Sequence, residues 1–424
     1  MEGIKIFCEN TGTHHEVAFG APLADLYQRI TQNSAVLENP VMACLVDNKL
    51  KSLDYKVINP HNIRFIDYTH PDGRRTYIRS LCFVLQKVVR EMFPDKVLAI
   101  DYSLPSGLYC EIREVKPMDD GRPCVYFLTD EEIEKIEEGM FRMVEADLPF
   151  GRTMMSLDEC CAVFEKQHQI EKVNLLKTMG RFNYNVYTLD GTVDTFYGPL
   201  VSSTGLLTTF NLAGFNDGFC LQYPMEGDVD KVLPMKRQSK LARALEEHSD
   251  WCSIMGVRGV GKLNGTVLSG EIVDLINLSE ALHERKYAEI ANQIYGRRGS
   301  VKIVFIAGPS SSGKTSTSKR LALQCRILGL NPRVIELDNY FVDREFTPRD
   351  ENGEYDFEAL GAMDLELLGR QLNELLEGKE VELPRFDFVD GRKYFEGNFM
   401  QLHEKDILIM EGIHALNPAM IPGV

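Results

Sequence analysis

The alternation of apolar and polar positions divides the chain into four stretches of different texture. Between residues 1 and 66, short strand-like runs (Ile4–Cys8, Val41–Val46, Ile63–Ile66) surround one helical stretch, Leu23–Thr31. Asp47-Asn48 and Asn59-Pro60 punctuate them as turns, so a small mixed sheet packed on a helix is expected. Residues 67–235 mix long helices with short strands. There Thr129 precedes Asp130, Glu131 and Glu132, the signature of a capped helix start. Ile133, Ile136, Met140 and Met143 follow at helical spacing and read as core. Residues 236–300 are helical and charged. A stretch over Leu278–Tyr295 closes at Gly296, Arg297, Arg298 and Gly299, and reads as a connector. Residues 301–424 switch to strand, glycine-rich loop, helix and strand, the order of a parallel α/β sheet. The expected fold class is therefore a multidomain α/β and α+β protein.

Length supports that division, because 424 residues make two to four domains, each able to bury a core. The 47 basic and 63 acidic residues leave a net charge of −16, which repels phosphate backbones as a whole and favours a small-molecule or protein partner. The ten cysteines show no paired zinc-ribbon spacing and read as reduced thiols. Residues 1–17 have no signal-peptide pattern, and no apolar run approaches the ~20 residues that span a bilayer. A cytoplasmic protein with no membrane contact is the expectation.

The strongest chemical signal follows the apolar run Lys302–Ile306. Gly308-Pro309-Ser310-Ser311-Ser312-Gly313-Lys314-Thr315 is a complete G-x-x-x-x-G-K-T loop, with Ser316 next and an amphipathic helix over Thr315–Leu328. Glycines let successive N–H groups converge on a phosphate, and the helix N-terminus adds partial positive charge. Lys314 supplies a point charge for the β- and γ-phosphates, and Thr315 a hydroxyl for Mg²⁺. A second G-x-x-x-x-G-K string, Gly256 to Lys262, is followed by Leu263. It lacks the hydroxyl, a preceding strand and a long following helix, and reads as a glycine-rich turn.

A phosphate loop alone serves GTPases, ATPase motors and kinases alike. Downstream, a strand over Arg333–Leu337 ends in Asp338, a carboxylate at the carboxyl end of a strand beside the loop. There it would accept the proton of an attacking hydroxyl. The apolar run from Asp406 ends in Glu411, the pattern of a strand that holds Mg²⁺ through its terminal acid.

In this order, Gly308–Thr315, Asp338-Asn-Tyr-Phe, Tyr355-Asp-Phe-Glu358, Pro384-Arg-Phe-Asp-Phe388 and Glu411-Gly-Ile413 resemble the uridine kinase / phosphoribulokinase family. The resemblance implies ATP as phosphoryl donor and Mg²⁺ held by Thr315, Asp338 and Glu411. It makes Asp338 the base that deprotonates a nucleoside 5′-hydroxyl, and puts Tyr340, Glu358, Phe386 and Asp387 on the acceptor side. Glu358 stands where uridine kinases carry aspartate, and Phe386 and Gly391 where they carry tyrosine and histidine. The implied function is an ATP-dependent kinase of a uridine-like nucleoside. Its alternatives are a phosphoribulokinase-like kinase of another small alcohol, and a nucleotide-responsive RNA- or ribosome-associated regulator. Val424 follows Glu411 by only thirteen residues, so the kinase-like domain is expected to be incomplete and this chain's transfer activity impaired.

Residues 1–66 resemble a TGS domain, a small β-grasp module. Residues 67–235 resemble the editing domain of threonyl-tRNA synthetases through Arg79–Pro94, Ser106–Ile112, the helix after Thr129, and Tyr197–Val201. That family's zinc-type donors fall here on Arg79, Phe83, Phe196 and Leu200, none of which supplies the required nitrogen or sulfur. A fold kept for packing or partner binding, without zinc or hydrolysis, is the expectation. Nucleic acid would be met only through the TGS-like module, and an oligomer is left open.

Overall fold

The computed structural model describes residues 3–421 apart from 33–34, 117, 119–121, 226–227 and 237. Val424, on which the expectation of an incomplete domain rests, lies outside them. The chain forms two compact units, Met1–Ile272 and Val273–Val424.

The first unit opens with strands β1 (Ile4–Cys8), β2 (Thr13–Val17), β3 (Ala43–Val46), β4 (Lys49–Lys51) and β5 (Asn62–Ile66) in the order β2-β1-β5-β3-β4. β1 and β5 run parallel and the other pairs antiparallel. Helix α1 (Leu23–Thr31) buries Leu23 and Leu26 against Ile6, Cys8, Ile63 and Phe65. Asp47 and Asn48 both take positive φ, +47° and +60°, as the two-residue β3–β4 hairpin requires. The apolar pattern predicts α1, β1, β3 and β5. It misses β2 and β4, whose sequences THHEV and KLK are polar edge strands with nothing to alternate.

Next come α2 (Pro71–Met92), β6 (Lys96–Leu104), β7 (Gly107–Glu114), β8 (Val125–Tyr126) and α3 (Asp130–Glu145). His70 caps α2 by accepting from the Asp72 N–H, and Thr129 and Glu132 form a reciprocal capping box on α3. Ile133, Ile136 and Met140 are buried with Leu81, Val84 and Leu85 of α2, while Met143 lies at the margin of that core. Strand β9 (Gly151–Ser156) and helices α4 (Leu157–Lys166) and α5 (Ile170–Thr178) precede β10 (Asn183–Leu189) and β11 (Thr192–Asp194), giving a sheet ordered β11-β10-β9. Strands β12 (Asn211–Phe215) and β13 (Gly218–Gln222) complete the larger sheet, β12-β13-β7-β6, with β8 beside β7. After the β14 (Pro224–Met225) and β15 (Asp228–Val232) hairpin, α6 (Ser239–Ile254) and α7 (Val260–Ser269) end the unit.

The helices of residues 236–300, expected as a connector packed on its neighbours, divide between the two units. α6 and α7 belong to the first unit, and α8 (Ile272–Gly296) to the second. The reason is packing: Ala291 and Ile294 of α8 are buried among Leu321, Ala322 and Cys325.

The second unit is built on three parallel strands in the order β16-β22-β17: β16 (Ile303–Ala307), β17 (Asn331–Glu336) and β22 (Asp406–Gly412). Helix α9 (Lys314–Ile327) joins the first two, and α10 (Leu365–Leu376) follows them. Between α10 and β22 lie the small pairs β18 (Val381–Glu382) with β21 (Phe399–Met400), and β19 (Arg385–Asp387) with β20 (Arg392–Tyr394). β22 is buried on both faces. Ile407 and Ile409 meet the α9 side, and Leu408 and Met410 meet the α10 side. A strand covered twice needs a continuous apolar run, and Ile-Leu-Ile-Met supplies it.

Candidate active site

Strand alternation decides where Glu411 points. It shares a face with Ile407 and Ile409, and so looks toward α9. In register it lies beside Ile306 of β16 and Glu336 of β17, at the carboxyl edge of the sheet. There its buried carboxylate accepts from the Thr315 hydroxyl at 2.5 Å. The loop between β16 and α9 turns with Ser311 at φ +59° and Gly313 at φ +86°, both left-handed. A Cβ on Gly308 would lie 2.5 Å from the Ser312 hydroxyl, which would have to swing aside, so glycine suits this tight turn. Pro309, Ser310, Ser311 and Ser312 are exposed, and Ser316 lies exposed in the first turn of α9. Lys314 folds across the loop and donates to the Pro309 carbonyl at 3.0 Å.

Asp338 sits in the 3₁₀ turn Leu337–Tyr340 that leaves β17. Burial, then the neighbouring Glu411 carboxylate, raises its pKa, and Lys314 partly offsets the rise. Two carboxylates and a hydroxyl, all hard oxygen donors, thus meet beside a lysine. That donor set suits Mg²⁺, which would relieve the repulsion between Asp338 and Glu411. The structure therefore gathers Lys314, Thr315, Asp338 and Glu411 at one edge of the sheet.

The acceptor-side residues sort differently. Tyr340 does not face this edge; its ring is 1% exposed in the core, and its hydroxyl donates to Gln371 Oε1 at 2.8 Å. Gln371 in turn donates to the Glu382 carbonyl, so Tyr340 holds the turn from behind. Its neighbour Phe341 instead meets Phe386, Phe388 and Phe357 at ring separations of 5.6, 6.3 and 6.4 Å. Phe386 lies inside that cluster. Asp387 accepts from the Val389 and Asp390 N–H groups and shapes the β19–β20 turn, which lowers its pKa. Glu358 is exposed on the turn organised by Asp356. Sequence reasoning overlooks Asn339, whose side-chain oxygen accepts from the Phe386 N–H at 3.2 Å and ties this hairpin to the Asp338 turn. Its place next to Asp338 was the available signal.

The upstream G-x-x-x-x-G-K string is not a turn throughout. From Val260 it is helical, and Gly261 is buried where a Cβ would stand 2.3 Å from the Leu175 backbone nitrogen of α5. Its glycine serves helix packing. The segment before it, Ser249–Ile254, is the end of α6 rather than a strand.

In the first unit the structure brings Arg79, Phe83, Phe196 and Leu200 together as packing. Phe83 is fully buried, 5.3 Å from Phe196 and 5.9 Å from Phe150 in ring separation. Arg79 donates twice to the Pro199 carbonyl, and Leu200 is buried. Among the described residues no three His, Cys, Asp or Glu side chains group as a metal site. His14 packs on Phe7, and His15 meets the Thr11 and Thr13 hydroxyls. No described helix is long and apolar enough to cross a membrane.

Comparison with known proteins matches each half separately. Residues 303–421 match the model of the Phosphoribulokinase / Uridine kinase family. The N-terminal half has threonine–tRNA ligases as homologues. That of Desulforamulus reducens is 28% identical over 210 residues, 49% of this chain and 31% of the ligase. That of Carboxydothermus hydrogenoformans is 29% identical over 177 residues, 42% of this chain and 26% of the ligase. The chain thus spans less than a third of these relatives' length. Among solved structures, a Bacillus stearothermophilus protein titled a "Possible Uridine Kinase" shares 24% identity over 32% of this chain and 75% of its own, with a TM-score of 0.28.

Proposed function

We propose that the second unit binds a nucleoside triphosphate with Mg²⁺ and transfers its γ-phosphoryl group to the hydroxyl of a small nucleoside-like alcohol. The observation that carries this reading is the convergence of Thr315, Glu411 and Asp338 at the mouth of the Gly308–Thr315 loop. In this reading the loop N–H groups and Lys314 take the β- and γ-phosphates, releasing Lys314 from the Pro309 carbonyl. Mg²⁺ supplies charge neutralisation when bound, with Thr315, Glu411 and Asp338 as its oxygen donors. Asp338 takes the acceptor proton. Catalysis of this kind is mostly positioning and electrostatics. The first unit, whose metal positions are filled by packing, serves as a scaffold or partner-binding body.

The test is transfer of label from γ-labelled ATP to uridine and to other small alcohols by the purified chain. The proposal expects a phosphorylated alcohol that depends on Mg²⁺ and disappears in Lys314→Ala. Label released only as inorganic phosphate, equally in both proteins, would contradict it.

A further inference from the structure

Beside β6 the first unit carries a positive charge that no neighbouring carboxylate is free to balance. Gln86 and Arg90 stand one turn apart on α2. With Lys96 and Leu98 of β6, and Gln167 just past α4, they line a narrow cleft. It has room for about one water-sized body. Both terminal guanidinium nitrogens of Arg90, Nη1 and Nη2, are buried and have no hydrogen-bond partner among the described residues. The same holds for Gln167 Oε1 on the other wall.

A guanidinium stays charged when buried, and a buried charge without a partner is costly. Burial pulls the Arg90 pKa down, and the Asp194 carboxylate only partly restores it. Asp194 is already engaged, because it accepts from Lys172 and from the Thr195 N–H at 2.6 Å. Lys96, the other cation of the cleft, bonds Glu114 at 2.8 Å and lies over the Tyr126 ring. Each of these carboxylates is thus bound by another cation, and the uncompensated charge sits on Arg90. A single water would satisfy the guanidinium donors yet leave that charge in place. An anion would do both. The Gln167 amide joins as a donor after a half-turn that exchanges its oxygen and nitrogen and leaves its outline unchanged.

We infer that this cleft is a binding site for a small inorganic anion, chloride or one oxygen of a phosphate, held by Arg90 and the Gln167 amide. The anion supplies the missing counter-charge and ties the end of α2 to β6 and to the chain after α4. Every residue involved belongs to the first unit, so the site does not depend on the kinase reading of the second.

The experiment is scanning calorimetry of the full chain at constant ionic strength, with chloride or phosphate replacing gluconate, an anion too bulky for the cleft. The first unit's melting temperature should rise with chloride or phosphate, by about 3–6 °C per tenfold once the anion exceeds its Kd. Whichever of the two acts at the lower concentration identifies the source. In Arg90→Met the rise should disappear. That variant should melt no lower than the parent in gluconate, because it removes an unpaired buried charge. Arg90→Lys keeps the charge on a head with fewer donors and should keep a weaker response. A parent that melts alike in all three anions would overturn the inference. So would a response that persists in Arg90→Met, which would be the general stabilisation that excluded salts give any folded chain. A large drop in melting for Arg90→Met in gluconate would overturn it as well, because the protein itself would then already satisfy Arg90.

Discussion

Two strings in this chain spell G-x-x-x-x-G-K, and Gly261→Ala separates their roles. Gly261 sits where α7 crosses α5, and the added methyl would lie 2.3 Å from the Leu175 nitrogen, 2.7 Å from the Asn174 carbonyl carbon and 2.8 Å from the Leu175 Cα. All three are backbone atoms of a helix, so no side chain can swing aside and the two helices must separate. Overpacking of this kind costs ~1–3 kcal/mol or more. The gain in helix propensity from glycine to alanine returns only ~0.5–1 kcal/mol. A net loss of ~1–2 kcal/mol remains, which lowers the melting temperature of a body this size by about 2–4 °C per kcal/mol. The assay is scanning calorimetry of the full chain, with ATP-analogue binding measured in parallel. Gly261→Ala should lower the first unit's transition and leave nucleotide affinity unchanged. Exposed Lys262→Ala should change neither, and Lys314→Ala should abolish binding with little effect on melting. If Gly261→Ala or Lys262→Ala removed nucleotide binding while melting stayed the same, the packing argument would be wrong.

Asp338→Asn should keep ATP binding but slow phosphoryl transfer by ~10²–10⁴-fold in a single-turnover assay at saturating Mg²⁺; a loss no larger than the change in stability would make Asp338 a turn residue only. A base works deprotonated, so kcat/KM should climb with pH through the titration of Asp338, and Asp338→Asn should lose that limb. The raised pKa of Asp338 has a stability consequence. The folded protein binds this proton more tightly than the unfolded chain, so stability falls as pH rises from the unfolded to the folded pKa. Metal-free Asp338→Asn should therefore melt higher than the parent at neutral pH, and an unchanged melting point would count against the burial of this carboxylate. In the first unit, Phe83→Ala should destabilise by ~3–5 kcal/mol in urea titration, as expected for a fully buried ring. Elemental analysis should find no stoichiometric zinc, and one tightly held zinc per chain would show that the packed positions are not the former donors.

The parts that were legible in the sequence are those where chemistry and local pattern coincide. Ile-Leu-Ile-Met followed by glutamate announces a doubly covered strand with an acid at its end, and β22 bears this out against β16 and β17. The acidic start after Thr129 announces the capped helix α3. Asp47-Asn48 announces the hairpin at which both residues take positive φ. What stayed hidden depends on contacts distant in sequence. Nothing local tells that Tyr340 turns inward to Gln371 while Phe341 turns outward to the hairpin. Nor does glycine spacing tell a phosphate turn from a helix crossing, since both need the same missing methyl. The division of residues 236–300 between two units was equally invisible, because it is settled by what α7 and α8 each pack against.

Gly308–Thr315, Asp338 and Glu411 are proposed to form one Mg²⁺–nucleotide site. Titration of the full chain with ATP by calorimetry, with and without Mg²⁺, tests it most directly, alongside Lys314→Ala and Glu411→Gln. One ATP per chain is expected, bound more tightly with Mg²⁺, with binding lost in Lys314→Ala and the Mg²⁺ enhancement lost in Glu411→Gln. Binding that ignored Mg²⁺ and survived both substitutions, or no binding by the parent chain, would contradict it.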